Sequence, residues 1–148
     1  MRTRAIAARL CFVTVVAGQV ALVIAGYHDP HRRFAFQPFN ESSTWRAEIV
    51  RVLPDGRRLS IRDGWHGYRW EELVRARGLG HPWSKQHASY GVDATLDLLG
   101  QALDYVATHT PRDRETVRLE AQVVHERNRH GEVRTTLVSR DRPEARAP

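Results

Sequence analysis

The segment Thr44–Arg62 reads TWRAEIVRVLPDGRRLSIR and carries the clearest fold signal in the chain. Apolar and polar residues alternate along Thr44–Leu53 and again along Arg57–Arg62, as they do in strands that have one buried face. Between them, Pro54-Asp55-Gly56 favours a tight turn, because proline presets φ and glycine accepts the positive φ that closes a hairpin. The inward positions are then Trp45, Ala47, Ile49, Leu59 and Ile61. The segment predicts a β-hairpin.

A period of two returns in Glu115–Arg127, which indicates a second pair of strands. Asn128-Arg129-His130-Gly131 is typical of a turn, and Val133–Ser139 follows as the return strand. The expected inward positions are Val117, Leu119, Ala121, Val123, Val133, Thr135 and Leu137. Residues 141–148 are polar, and we expect them to form a disordered tail.

Two segments between the hairpins have the 3–4 spacing of a helix instead. Trp70–Arg77 is followed by Gly78 as a stop signal, and Val92–His109 is stopped by Pro111. The apolar face of the second helix consists of Val92, Leu96, Leu99, Leu103 and Val106, widened by Leu98, Ala102 and Tyr105. The order ββ-αα-ββ predicts an α+β domain over residues 44–140, with a small antiparallel sheet and its helices on one face.

The segment Leu10–Gly26, LCFVTVVAGQVALVIAG, has no charged residue and predicts a transmembrane anchor. A spanning helix needs about 20 apolar residues, and extending this segment back to Ala5 supplies them with Arg9 as the single interruption. A cleaved signal peptide, with Val23-Ile24-Ala25 before the cleavage site, and a buried soluble helix are the alternatives. The basic head of residues 1–9 favours a cytoplasmic N-terminus and a domain outside the cell membrane.

Residues 27–43 are expected to form a juxtamembrane linker. Aromatic and basic side chains occur together there, and such side chains favour the depth of the lipid headgroups. The residues predicted at this membrane interface are Arg9, Tyr27, Arg32, Arg33, Phe34 and Phe36. Packing of Phe34, Phe36 and Phe39 on the domain is the alternative.

The formal charge is +6, and Lys85 is the single lysine among 23 basic residues. The arginines are dispersed among acids, as in residues 112–115 and 140–142, whereas a nucleic-acid-binding face shows basic residues clustered along one stripe. We therefore expect no nucleic-acid partner. The one cysteine, Cys11, lies in the apolar segment, so a disulfide framework and a cysteine-ligated zinc site are excluded for the domain.

Candidate catalytic and metal-binding residues are few. His66, His81 and His87 fall in predicted loops without the HExxH spacing of a metal site, so no metal, cofactor or catalytic residue is predicted. The segment His81–Asp93 brings serine, histidine and aspartate together but lacks a nucleophile elbow, and Asp93 is interpreted as an acid stabilising a helix start. An envelope enzyme that uses His66 or His87 remains an alternative.

The segment Gly64–Trp70, GWHGYRW, contains three aromatic residues, a histidine and an arginine between glycines. Trp, Tyr and Arg dominate the hot spots of protein interfaces. The segment is interpreted as a partner-binding surface made of Trp65, His66, Tyr68, Arg69 and Trp70. The alternative is that Trp65 and Trp70 attach the first hairpin to the first helix.

The segment Arg33–Leu79, together with HTPRDRET at His109–Thr116, resembles a family of small uncharacterised bacterial single-pass membrane proteins. That family is associated with multi-span membrane proteins similar to the vitamin-K-dependent carboxylase. The resemblance implies a non-catalytic accessory protein that binds a multi-span membrane protein, and it carries over no catalytic residue. An interfacial lipid-binding domain is a further alternative.

Overall fold

The computed structural model describes residues 2–28, 42–76 and 78–142, which fall into two compact units, residues 1–40 and 41–148. The first unit contains helix α1, Arg2–His28. Its window Arg9–Gly26 has a mean hydropathy of 1.9 and is long and apolar enough to cross a membrane. The linker residues Arg32, Arg33, Phe34, Phe36 and Phe39, predicted either at the membrane interface or packed on the domain, lie outside the described residues, as does the Tyr27 side chain.

The second unit is built on one antiparallel sheet, which confirms the predicted α+β class. The strands are β1 (Ser43–Val52), β2 (Arg58–Ser60), β3 (Gln86–His87), β4 (Arg118–Arg127) and β5 (Glu132–Val138). Their order is β2-β1-β4-β5, and β3 pairs with β1 as well. Both predicted hairpins are therefore present, and their long strands β1 and β4 pair with each other at the centre of the sheet.

Helix α3, Val92–Thr108, packs on one face of this sheet. Its residues Leu99, Leu103 and Val106 are fully buried and belong to one core with the inward residues of β1 and β4. Leu98 and Tyr105, predicted to widen this apolar face, are exposed, because only a narrow stripe of the helix meets the sheet. The other inward residues of that core are Trp45, Ala47, Ile49, Leu119, Ala121 and Val123.

The predicted helix Trp70–Arg77 is shorter in the structure, where α2 covers Trp70–Leu73 only. The indole Nε1 of Trp70 donates a hydrogen bond to the backbone carbonyl of Leu79 at 2.7 Å. This contact turns the chain back toward the core and ends the helix after one turn. The two-residue strand β3 lies in a stretch that was expected to be irregular.

The edge of the domain differs from the prediction at two places. Val133, predicted to point inward, is exposed near the start of edge strand β5. Beyond β5, the backbone N–H of Arg142 donates to the carbonyl of Val117 at 2.8 Å, and the Arg142 side chain is buried. The domain therefore extends through Arg142, past the predicted boundary at residue 140, and residues 143–148 lie outside the described residues.

Candidate functional site

The aromatic loop of residues 64–70 holds two of its three predicted aromatic contact residues inside the domain. Trp65 is 1% exposed and Trp70 is 2% exposed. The Nε1 of Trp65 donates to Oδ2 of Asp113 at 2.5 Å. Trp65 and Trp70 are therefore not exposed as a partner-binding surface requires. Both belong to the hydrophobic core, which favours the alternative that they attach the first hairpin to the helix that follows it.

The other three residues of the predicted surface are accessible. His66 and Arg69 are exposed, and Tyr68 is half-buried. The Tyr68 hydroxyl accepts a hydrogen bond from the backbone N–H of Arg112 at 3.0 Å, and the Arg112 guanidinium lies 4.6 Å from the centre of the tyrosine ring. Burial alone would raise the pKa of Tyr68, but its contacts with Arg112 outweigh that effect and lower it.

Two residues of the aromatic loop, Trp65 and His66, lie next to a buried carboxylate, Asp113, that the sequence did not single out. Oδ1 of Asp113 accepts the backbone N–H groups of Glu115 and Thr116, each at 3.1 Å. Oδ2 accepts the Trp65 indole and the Thr116 hydroxyl, each at 2.5 Å. Burial alone would raise the pKa of Asp113, but the hydrogen bonds of Thr116 and Trp65 and the charge of Arg142 hold it below its ordinary value.

The serine, histidine and aspartate of the segment His81–Asp93 are not arranged as a catalytic triad. The Asp93 carboxylate forms an ion pair with Arg127 at 2.6 Å, and the Ser84 hydroxyl donates to the backbone carbonyl of His81. His87 lines a cleft of about 520 Å³ beside β3. Among the described residues, no group of three or more His, Cys, Asp or Glu side chains is placed to hold a metal ion.

A second candidate site lies on the sheet face opposite α3, which no helix covers in the described part of the domain. The outer edge of β1 pairs with β3 at residues 44–45 and with β2 at residues 50–52. Between these short strands, the N–H of Ala47 donates to the carbonyl of Pro82, and the N–H of Ile61 donates to the carbonyl of Ile49. This irregular edge leaves a groove of about 450 Å³ beside the open face.

We name this feature the arginine groove, after Arg46, Arg62 and Arg134 in its lining. The Arg62 guanidinium lies 5.4 Å from the ring centre of the half-buried Trp83. Glu48 is the only acidic residue among the described lining residues. The remaining lining residues are Ala47, Ile49, Ile61, Gln122 and Val124.

Strand register brings two of these arginines into one row. Arg46 on β1 pairs with Val124 on β4, which pairs with Arg134 on β5. Two strand spacings separate their backbones by about 10 Å. Among the described residues, Arg46, Arg62 and Arg134 form no ion pair.

Other arginines of the same face are paired. Arg58 and Arg118 both contact the buried carboxylate of Glu120, at 3.0 and 2.9 Å. The groove is thus the part of the open face where guanidinium groups are available to a ligand. Alternation along each strand indicated that these side chains face outward, but the register between β1 and β4 joins residues far apart in sequence and could not be read from it.

Comparison of the chain with protein-family models, with curated proteins and with solved structures finds no match. The resemblance to small bacterial membrane proteins therefore stays a prediction. The functional argument rests on the two sites just described.

Proposed function

We propose that the chain is a membrane-anchored accessory protein whose arginine groove binds an acidic segment of a partner membrane protein. The observation that supports this proposal most directly is one groove that contains a half-buried tryptophan and three guanidinium groups, with no ion pair to those groups and one acid, Glu48, among the residues that the structure describes. Guanidinium groups pair bidentately with carboxylates, and Arg and Trp are the residues enriched at interface hot spots. The proposal moves the predicted binding surface from the aromatic loop to the open sheet face.

The anchor is the second part of the proposal. Helix α1 is apolar around its circumference from Leu10 to Gly26, and side chains such as Phe12 and Ile24 are exposed. A helix of this kind requires a lipid or protein environment. We place α1 across the cell membrane with its basic N-terminus in the cytoplasm and the domain outside.

Tethering by the anchor compensates for the weak binding that the groove alone provides. Exposed ion pairs contribute about 0.2–1 kcal/mol each, so a groove with three arginines gives modest affinity for a partner in solution. Tethering converts such binding into an encounter at an effective concentration that reaches about the millimolar range. An accessory protein confined to the same membrane as its partner therefore does not need a large interface.

The test uses the full-length chain in detergent and a fluorescent oligoglutamate peptide. We expect the double variant Arg46→Gln/Arg134→Gln to bind the peptide about tenfold more weakly, since it loses two exposed charge contacts. Arg75→Gln/Arg114→Gln is the matched control, because it also removes two charges and both of its arginines are exposed and do not line the groove. Equal losses of peptide affinity in the two variants would show that binding depends on net charge alone and not on the groove.

Co-purification from solubilised membranes tests the partner class. A C-terminally tagged chain should recover a multi-span membrane protein, and the groove variant should recover less of it than the control Arg75→Gln/Arg114→Gln does. Recovery that is independent of the groove would contradict the proposed binding surface.

A further inference from the structure

The environment of Asp113 contains more positive charge than its single carboxylate balances. The side chains of Arg51 and Arg142 are 5% and 8% exposed. Their Nη1 atoms lie 3.8 and 3.5 Å from the same oxygen, Oδ2 of Asp113. Two buried cations thus share one buried anion. An uncompensated charge in this setting is strongly destabilising.

The Asp113 carboxylate accepts too many other hydrogen bonds to satisfy all the N–H groups of Arg51 and Arg142. A carboxylate has about four lone-pair sites, and the two N–H groups of Glu115 and Thr116, the Thr116 hydroxyl and the Trp65 indole already occupy four on Asp113. Each arginine uses Nη2 on a backbone carbonyl, that of Gly64 for Arg51 and that of Thr110 for Arg142. Nε and Nη1 of Arg51 and Nη1 of Arg142 have no hydrogen-bond acceptor among the residues that the structure describes.

A third guanidinium and an imidazole lie next to this cluster. The Arg112 guanidinium lies close to Gly67 and over the ring of Tyr68, and Nε2 of His66 lies 4.0 Å from Oδ1 of Asp113. His66 is partly exposed and forms the rim of the cluster. Gly64 and Gly67 both have φ of +78°, a conformation that glycine adopts without strain, and they give the aromatic loop its turn over the cluster.

We infer that Arg51 and Arg142 bind an oxyanion of the phosphate, sulfate or carboxylate class beside Asp113. Water satisfies an N–H group but not a net charge, whereas an oxyanion supplies both acceptor oxygens and the missing negative charge. The inference is independent of the arginine groove, because Arg51 projects from β1 on the face that packs against α3, opposite to the groove residue Arg46. The ligand would hold the aromatic loop, β1 and the segment after β5 together.

The first experiment follows thermal unfolding of the full-length chain in detergent by tryptophan fluorescence. All four tryptophans lie in the domain, so the signal reports on the domain alone. Phosphate and sulfate should raise the Tm saturably by roughly 5 °C relative to chloride at the same ionic strength. A Tm that responds identically to all three salts would overturn the inference.

Variants locate the effect. In Arg142→Gln the increment produced by phosphate should be lost, whereas Arg140→Gln, which removes an exposed guanidinium from the same segment, should keep it. Equal increments in the two variants would overturn the assignment of the site. If Arg142→Gln does not fold, phosphorus NMR on the wild-type chain replaces it: broadening of the phosphate signal that sulfate reverses supports the site, and an unchanged signal contradicts it.

A further variant distinguishes an external ligand from the chain's own carboxylate. Glu144 follows Arg142 by two positions in the sequence. A phosphate increment of equal size in wild type and Glu144→Gln supports an external oxyanion. An increment that occurs only in Glu144→Gln would show that the chain supplies the anion itself, and it would overturn the inference.

Discussion

Strand β1 carries arginines on both of its faces, and the two faces use them in opposite ways. Arg51 faces α3, where it is buried beside Asp113 and Trp65. Arg46 faces away from α3 and lies exposed in the arginine groove. The residue type is the same, so position in the strand alternation decides whether the guanidinium is buried inside the domain or exposed to a partner protein. On the buried face the arginine contributes to stability, with or without a bound anion, and on the open face it is accessible to a partner.

The comparison is tested most severely by removing the fully buried Trp65 beside Asp113 and, separately, Trp83, a half-buried residue that lines the groove and packs on the edge of the core. We expect Trp65→Ala to destabilise the domain by about 4 kcal/mol, because it leaves a large cavity and removes the indole donor from Asp113. Trp83→Ala removes a half-buried ring beside the groove and should cost about 1 kcal/mol. Chemical denaturation of both variants measures the two losses. Similar losses would contradict the division between the faces.

The next largest effect is expected from the carboxylate itself. Asp113→Asn keeps the size of the side chain but removes the charge that faces Arg51 and Arg142, and we expect a loss of about 3 kcal/mol. Glu48→Gln makes the same chemical change in the groove and should alter stability by less than about 0.5 kcal/mol. Denaturation curves measure the loss of stability in each of these two variants. They compare a buried acid with an acid of the groove, as the tryptophan variants compare two aromatic rings.

Acidification should lower stability gradually, and by less than the substitutions described above. The folded pKa of Asp113 is lowered from 3.8, so its charge contributes stability that is present above 3.8 and is lost as pH falls through the folded value. The Tm of the wild type should therefore fall on acidification below about pH 4 more steeply than that of Asp113→Asn. Thermal unfolding at a series of pH values measures both slopes, and parallel curves would contradict the role given to this carboxylate.

The smallest effect on stability should follow from the groove arginines. Arg46→Gln/Arg134→Gln is expected to shift the free energy of unfolding by less than about 0.5 kcal/mol, because both side chains are exposed and unpaired among the described residues. The same denaturation experiment measures the shift. A large loss would show that the groove is part of the folded framework, and it would remove the basis for separating binding from stability.

The features that the sequence predicted are those that depend on neighbouring residues. Alternation around Pro54-Asp55-Gly56 was sufficient for the first hairpin, and the 3–4 spacing was sufficient for α3. Strand β3 could not be found in this way, since two residues carry no period and their pairing with β1 spans about forty positions. The end of α2 was missed because its cause is a contact between Trp70 and Leu79 that periodicity does not contain.

The candidate sites were harder to predict for the same reason. Asp113 stands between two arginines in the sequence, which is typical of a solvated surface, yet it is buried by partners from three distant segments. The pattern Asp113-x-x-Thr116 offered a local signal, since Asp side chains often accept backbone N–H groups two or three residues later. The groove arginines were recognisable as outward-facing residues, but not as neighbours.

The contacts of Asp113 also bear on the order of folding events. The carboxylate joins Trp65, Arg51 and Arg142, which lie 48, 62 and 29 positions from Asp113 along the chain. Contacts of this kind require closure of large loops, so we expect them to form after the local hairpins. Weakening them should accelerate unfolding while leaving the rate of folding nearly unchanged. The contacts of Asp113 would then determine the kinetic stability of the domain, that is, how long the folded domain lasts before it unfolds.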